Sequence, residues 1–145
     1  MSPTPTPWAT SVLIVDDNAS ERTAYAQGLM RCSRDYLILE AADQQEADGH
    51  RQSQRIDCVV LELDLPNRSG VALLVNLLPL PSRPNIAVVV LTRSAHRSWW
   101  NLAKQVGAHA CLFKPYTSAE DLDKAIQRAI AFVGQMPKED RHRPI

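Results

Sequence analysis

Six polar residues lie at or just after the ends of four short apolar segments. They are Asp16, Asp17, Glu62, Asp64, Thr92 and Lys114. Adjacent carboxylates with a further acidic residue form an oxygen-rich pocket for a hard cation such as Mg²⁺. A lysine can neutralise an acidic centre or a bound phosphoryl group, and a threonine hydroxyl can hydrogen-bond a phosphoryl oxygen. The set is therefore typical of phosphoryl-transfer chemistry, which depends on positioning and charge neutralisation.

Each residue alone has a simpler structural interpretation. Asp16 and Asp17 would be favourable at the start of a helix, where negative charge is stabilised. Thr92 by itself is uninformative, and the Lys114-Pro115 pair would suit any loop. The combination becomes informative only if a fold brings the segment ends together.

Apolar segments and helical patterns alternate along the chain. The expected strands cover residues 11–15, 36–40, 56–61, 86–91 and 110–113. The expected helices cover residues 19–33, 43–54, 71–78, 95–106 and, from Thr117 or Ser118, up to 133. Asn18 is a candidate N-cap and Gly107 a candidate C-cap. Three prolines break the chain before the fourth strand: Pro79, Pro81 and Pro84.

Five strand–helix repeats with largely apolar strands predict an α/β doubly wound (βα)5 three-layer sandwich. Its five-stranded parallel sheet would be covered by helices on both faces. Sites in such sheets lie at the carboxyl ends of the strands, so the polar side chains should meet at one edge. We expect one domain over 11–134, with an N-terminal tail over 1–10 and a C-terminal tail over 135–145.

Composition narrows the class of protein. The chain has 145 residues, is 45% hydrophobic and has a formal net charge of zero, which disfavours a nucleic-acid surface. No signal peptide or membrane-spanning apolar run is apparent, so we expect a cytoplasmic protein without membrane contact. The cysteines and histidines lack disulfide or zinc spacing.

Together these segments resemble the receiver domain of two-component response regulators, which has the flavodoxin/CheY-like fold. The matching segments are VLIVDDN (12–18), DCVVLELDLPNRSG (57–70), VVVLT (88–92) and GAHACLFKP (107–115). The resemblance implies that Asp16 and Asp17 hold Mg²⁺, with Asp64 near the metal. It also implies that Thr92 and Lys114 contact the phosphoryl group. A cis peptide bond is implied between Lys114 and Pro115.

Glu62 occupies the position of the family's phosphorylated aspartate, four residues before Pro66. A shift of register to Asp64 is disfavoured by the preceding VVL and by the LP-x-x-SG loop. Glutamate is longer by one methylene, about 1.5 Å, so its carboxylate should approach Lys114 and Thr92. A misplacement of about 1 Å can cost roughly a hundredfold in rate. We therefore expect Glu62 to be a poor or absent phosphate acceptor, to weaken Mg²⁺ binding and to imitate the phosphorylated state weakly.

Two further departures concern switching. The position three before Lys114 carries an aromatic residue in the family and is Cys111 here. The usual coupling of Thr92 to that ring therefore cannot operate. Arg93 is bulky where small residues are common, and we expect it to narrow access to the pocket.

Aromatic residues mark a candidate partner or dimer surface. Trp99 and Trp100 are consecutive in a helix, so both cannot face the core. Either one packs beneath the helix and the other is half exposed, or they form an interface, where aromatic residues are enriched. Tyr116 is expected on the same side, and Trp8 in the N-terminal tail is a candidate to wrap a neighbouring subunit. The resemblance implies dimer or partner contacts through the fourth helix, fifth strand and fifth helix.

Three functions follow for comparison. The first is a single-domain, non-enzymatic response regulator that acts through protein contacts, with phosphorylation impaired or absent. The second is a competent receiver that takes phosphate from a histidine kinase at Asp64 or another acidic residue. The third, an enzyme on the same fold, is disfavoured because a glycine-rich phosphate loop and an Asp-x-Asp after the first strand are both missing. The implied partners are a sensor histidine kinase or phosphotransfer protein and a downstream protein.

Overall fold

A computed structural model of the chain describes residues 9–78 and 86–134. Strands and helices alternate in it, as predicted. The strands are β1 (Thr10–Val15), β2 (Tyr36–Ala41), β3 (Cys58–Leu61), β4 (Ala87–Thr92) and β5 (Ala110–Phe113). The helices are α1 (Ala19–Cys32), α2 (Gln44–Ser53), α3 (Ser69–Leu77), α4 (Arg97–Val106) and α5 (Ala119–Gly134). Short 3₁₀ turns cover Pro66–Arg68 and Lys114–Tyr116.

The five strands form one parallel sheet in the order β2-β1-β3-β4-β5. The order reverses at β1, so β1 and β3 are neighbours at the centre of the sheet. Parallel strands end on the same side, and the ends of β1, β3, β4 and β5 therefore share one edge. The predicted doubly wound α/β sandwich is confirmed.

The hydrophobic core lies on both faces of the sheet, because successive strand residues point to opposite faces. Leu13 of β1 packs in one cluster with Leu73 of α3 and Ala103 of α4. Its neighbour Val12 packs in the other cluster with residues of α1 and α5, including Leu122. Burial of each valine or leucine side chain of this kind stabilises the fold by about 1.5–3 kcal/mol. The sheet is thereby held rigid, and so are the strand ends that carry the polar residues.

Capping residues fix the ends of several helices. The side chain of Asn18 accepts a hydrogen bond from the amide of Glu21, as expected of an N-cap. Gly107 ends α4 with φ of 114°, the left-handed conformation that favours glycine. Ser118 and Asp121 cap α5 reciprocally, each side chain accepting from the other's amide.

Some predicted boundaries are corrected. Thr10 belongs to β1 and not to the tail, because it pairs with Tyr36 of β2. α4 begins at Arg97, two residues late, because His96 is extended and is the N-cap, its carbonyl accepting from the amide of Trp100 at 3.3 Å. The bond between Lys114 and Pro115 is trans, the more stable isomer for most X–Pro bonds, and not cis.

Several predictions lie outside the described residues. These are most of the 1–10 tail with Trp8, the prolines at 79, 81 and 84, and the 135–145 tail. Within residues 9–78 and 86–134, the helices are all too short or too polar to cross a bilayer.

Candidate functional site

Lys114 is the centre of the polar cluster at the carboxyl edge of the sheet. It follows β5 directly and is buried. Its Nζ lies 2.5 Å from Asp16 Oδ2 after β1, 3.1 Å from Glu62 Oε1 after β3 and 2.7 Å from Glu21 Oε2 in α1. One ammonium group is thus shared by three carboxylates. The sequence predicted the first two partners, whereas Glu21 was missed.

The carboxylate of Glu62 is held by donors on both oxygens, and its side chain is 0% exposed. Oε1 accepts from Lys114 Nζ at 3.1 Å and from the amide of Arg93 at 3.0 Å. Oε2 accepts from the amide of Asp64 at 3.0 Å. Two backbone N–H groups and an ammonium group therefore form an anion-binding pocket, and the glutamate's own carboxylate lies in it.

Arg93, directly after β4, binds the acidic residues on the solvent side of this pocket. Its Nη2 donates to Asp17 Oδ1 at 2.8 Å and to the carbonyl oxygen of Asp64 at 2.9 Å. Its Nε lies 3.3 Å from Asp64 Oδ2. The sequence indicated only that Arg93 would narrow the pocket, and its ion pairs were missed because they depend on where the long side chain turns.

Asp64 occupies a different environment from Glu62. Its side chain is 62% exposed, whereas that of Glu62 is fully buried. The Asp64 carboxylate forms an ion pair with Arg93, whereas the Glu62 carboxylate contacts Lys114. Asp64 therefore lies on the rim of the pocket.

Burial and pairing shift the pKa values of the central groups. Burial raises the pKa of Asp16 above 3.8, although Lys114 and the amide of Asn18 oppose this by binding the ionised form. Burial would lower the pKa of Lys114, but its close contacts with Asp16 and Glu21 and the charge of Glu62 outweigh it, so this pKa is raised. The pKa of Arg93 is also raised, because its acidic partners outweigh the effect of burial. Both cations stay charged at neutral pH.

Of the two expected switch residues, Thr92 lies beside this cluster and Cys111 lies against the core. Thr92 is buried at the end of β4, and its Oγ1 accepts from the amide of Ser94 at 3.0 Å. Cys111 pairs with Val90 across the sheet and packs partly against the core. Burial raises the pKa of its thiol to about 11, despite the nearby charge of Lys104. Cys111 is therefore a neutral core-facing thiol at neutral pH.

The aromatic residues of α4 and β5 form a connected surface. Trp99 packs partly against the core, whereas the indole of Trp100 donates to Ser94 O at 2.8 Å. The Trp100 ring lies 6.5 Å from that of Phe113, which lies 5.4 Å from the ring of Tyr116. We call Trp100, Phe113 and Tyr116 the aromatic row. Tyr116 is 84% exposed, and the sequence missed Phe113 as the link between the other two.

Comparison with known proteins identifies the family. Residues 12–127 match the response regulator receiver domain family. The transcriptional regulatory protein PdtaR of Mycobacterium tuberculosis is 32% identical over 120 residues, which are 83% of this chain and 56% of that protein. The chain spans 35% and 56% of the first curated relatives it matches.

Solved structures are also similar. A CheY-like receiver domain protein from Methanospirillum hungatei superposes with a TM-score of 0.75 at 22% identity, covering 88% of this chain and 98% of that one. A Burkholderia pseudomallei response regulator, solved with a phosphorylated aspartic acid, a calcium ion and citrate, gives a TM-score of 0.71 at 29% identity. The match covers 86% of this chain and 71% of the Burkholderia pseudomallei chain. The sheet order, the acidic pocket beside a buried lysine and these matches lead to one assignment: the chain belongs to the response regulator receiver domain family of two-component signalling proteins.

Proposed function

We propose that this receiver signals through protein contacts, with phosphorylation impaired or absent because Glu62 fills the phosphoryl position. The observation that carries the proposal is the burial of the Glu62 carboxylate against Lys114 and two backbone amides. These donors are the kind that a phosphoryl group needs for charge neutralisation. Here they are already engaged by a carboxylate.

The chemistry of ordinary receiver phosphorylation explains why this arrangement blocks transfer. A carboxylate oxygen attacks phosphorus, a P–O bond forms, and the P–N bond to the donor's phosphohistidine breaks as the imidazole leaves. In the Burkholderia pseudomallei relative, the phosphorylated residue is an aspartic acid. The longer Glu62 directs both oxygens onto Lys114 and the amides, so an incoming phosphorus would have to displace these donors. In-line attack loses roughly a hundredfold for about 1 Å of misplacement.

The output of such a receiver is a protein contact. Receiver domains interact with histidine kinases or phosphotransfer proteins and with downstream effectors. The aromatic row gives this chain an exposed aromatic surface near the pocket, and such residues are enriched at interface hot spots. We propose that α4, β5 and α5 form a homodimer or partner surface. The resident carboxylate would imitate phosphorylation only weakly, because it has less charge and fewer oxygens than a phosphoryl group.

Treatment with a small phosphodonor tests the proposal. The full chain is incubated with acetyl phosphate and millimolar Mg²⁺, quenched quickly and weighed by intact mass spectrometry. A receiver with aspartate at the acceptor position is treated in parallel to prove that the donor is active. We expect no added phosphoryl mass on this chain, and a phosphorylated species at a substantial fraction would overturn the proposal.

The competing function, transfer to Asp64, is an outcome of the same experiment. Its exposed carboxylate is accessible to a donor but is bound by Arg93 and not by Lys114. If phosphoryl mass were gained and then lost in Asp64→Asn, Asp64 would be the acceptor and the chain a competent receiver.

A further inference from the structure

The guanidinium group of Arg93 gathers oxygen atoms from two separate elements. It donates to Asp17 after β1 and to both the side chain and the carbonyl oxygen of Asp64 after β3. The amide of the same residue donates to Glu62 Oε1. Arg93 therefore binds the buried anion with its main chain and the outer acidic residues with its side chain.

The same oxygens are those that a divalent cation would require. Receiver domains typically bind Mg²⁺ at this acidic pocket. Mg²⁺ demands near-octahedral oxygen ligands at about 2.0–2.1 Å, usually one or two carboxylates with several waters. Asp17 Oδ1 and the Asp64 carbonyl oxygen both accept from Arg93 Nη2, and Asp16 Oδ2 accepts from Lys114.

The described residues as arranged do not fit a metal ion. Within residues 9–78 and 86–134, no group of three or more acidic, histidine or cysteine side chains is arranged to hold one. A divalent ion at Asp17 would have to displace a guanidinium group that carries a permanent charge and binds carboxylates through several donors at once.

We propose that Arg93 is the resident cation of this pocket and takes the place of the divalent metal ion. The proposal goes beyond the proposed function, which concerns Glu62 as the anion of the pocket, and assigns Arg93 as its cation. It does not depend on whether Glu62 can accept a phosphoryl group, because metal exclusion follows from the contacts of the Arg93 side chain alone. Arg93 acts here as a positioning residue.

Manganese binding tests the proposal directly, because Mn²⁺ replaces Mg²⁺ at oxygen sites and is visible by electron paramagnetic resonance. The full wild-type chain, Arg93→Ser and Arg97→Ser are titrated with Mn²⁺. Arg97 is an exposed arginine in the first turn of α4, so its variant matches the charge change outside the pocket. We expect Arg93→Ser to bind Mn²⁺ at least about tenfold more tightly than the other two proteins.

Two results would overturn the proposal. One is wild-type binding of Mn²⁺ as tight as that of Arg93→Ser, and this measurement on the wild type stands even if the variant folds poorly. The other is a folded Arg93→Ser, checked by circular dichroism, that gains no affinity for Mn²⁺. Arg93→Lys keeps the charge and is expected to remain closer to the wild type than to Arg93→Ser.

A second readout concerns restored chemistry. Glu62→Asp, Arg93→Ser and the double variant are treated with acetyl phosphate and Mg²⁺. In the reaction, a P–O bond to the introduced carboxylate forms while the P–O bond to acetate breaks and acetate leaves. We expect added phosphoryl mass chiefly in the double variant, because Glu62→Asp alone still lacks the metal. Equal phosphorylation of Glu62→Asp and the double variant would contradict the role of Arg93.

These outcomes separate the two proposals. A wild-type chain that gains phosphoryl mass refutes the block by Glu62. A wild-type chain that binds Mn²⁺ tightly but stays unphosphorylated refutes the proposal that Arg93 replaces the metal ion. It leaves intact the proposal that Glu62 blocks phosphorylation.

Discussion

Lys114 shows how a single residue holds the polar end of this receiver together. Buried charges are costly unless they are paired and hydrogen-bonded. Asp16 and Glu62 are both buried, and each lies within hydrogen-bond distance of the same Lys114 Nζ. The lysine therefore makes the burial of these acids tolerable.

Replacing Lys114 by methionine tests this dependence. The substitution keeps a long apolar side chain but leaves Asp16 and Glu62 without their shared cation. We expect a loss of about 3–5 kcal/mol in the free energy of unfolding. Urea denaturation followed by circular dichroism measures it. The control is Lys124→Met at an exposed position of α5, which should change the free energy of unfolding by less than about 0.5 kcal/mol. Equal losses in both variants would show that the pairing of Lys114 with Asp16 and Glu62 is unimportant.

The sequence predicted part of this site for an identifiable reason. Asp16, Glu62 and Lys114 stand at strand ends, and a parallel sheet brings strand ends together regardless of side-chain detail. Glu21 was missed because its contact depends on how the first turn of α1 is rotated over the sheet. The role of Arg93 was missed because a flexible side chain has several acidic residues within reach.

At the scale of elements, the approach of α3 to the end of β3 positions the residue that fills the pocket. A Cβ added at Gly70 would lie 2.5 Å from the carbonyl oxygen of Leu63 and 2.6 Å from that of Glu62. Both are backbone atoms, so they cannot move without shifting the Glu62 backbone. Glycine at this position allows the helix to start directly against the strand end.

Gly70→Ala is expected to destabilise the chain by about 1–3 kcal/mol, because the new methyl group overpacks this contact. Gly49 is the matched control, since an added Cβ there meets nothing within 4 Å. Gly49 lies inside α2, and Gly49→Ala should stabilise the chain by about 0.5–1 kcal/mol. Thermal and urea unfolding of both variants check the opposite signs, and destabilisation by both would count against the contact at Gly70.

The turn into β5 contains a titratable group that responds to acid. His109 Nδ1 lies 3.0 Å from the amide nitrogen of Val88. Nδ1 can accept a hydrogen bond from this amide only when the ring is neutral. Burial lowers the pKa of His109 below 6.5, although the carbonyl oxygen of Val88, 3.3 Å from Nδ1, opposes this by accepting from the protonated ring. The unfolded chain therefore takes up the proton first as pH falls.

The contribution of His109 to the free energy of unfolding is therefore fully present above pH 6.5. It is lost as the pH falls from 6.5 through the lower pKa of the folded state. We expect the free energy of unfolding to decrease over this window. His109→Gln should flatten that part of the pH profile, as followed by urea unfolding at a series of pH values. An unchanged slope in the variant would assign the acid sensitivity to other groups.

The elements themselves were predicted well because their signals are strong. Largely apolar segments of four to six residues identified all five strands, and the sheet order agrees with the predicted doubly wound class. The ends were less accurate where side chains decide them. Residues 56 and 57 fall outside β3, and the Asp57 side chain instead accepts from the amide and hydroxyl of Ser11. Such contacts cannot be derived from local periodicity.

At the scale of the whole molecule, the polar pocket and the aromatic row are joined through β5, since Phe113 immediately precedes Lys114. A surface so close to the pocket is suited to couple the site to a second molecule. Tyr116 is the most exposed member of the aromatic row, whereas Trp100 and Phe113 are half-buried beside it.

Tyr116→Ser tests whether this face forms a dimer. We expect the wild-type chain to sediment as a dimer and the variant to shift toward monomer, because a largely exposed ring would be buried in the contact. Met30→Ser removes a half-exposed apolar side chain from α1, on another part of the surface, and should leave the association unchanged. Sedimentation velocity over a range of concentrations gives the answer. A monomeric wild type, or equal effects of the two variants, would refute the dimer face.

The most direct test of the account is a crystal structure of the full chain grown with manganese, with anomalous differences recorded. We predict the Glu62 carboxylate against Lys114 and the amides of Asp64 and Arg93, the Arg93 guanidinium between Asp17 and Asp64, and no manganese peak among them. A manganese ion bound to Asp17, with Arg93 displaced and Glu62 turned away from Lys114, would contradict it.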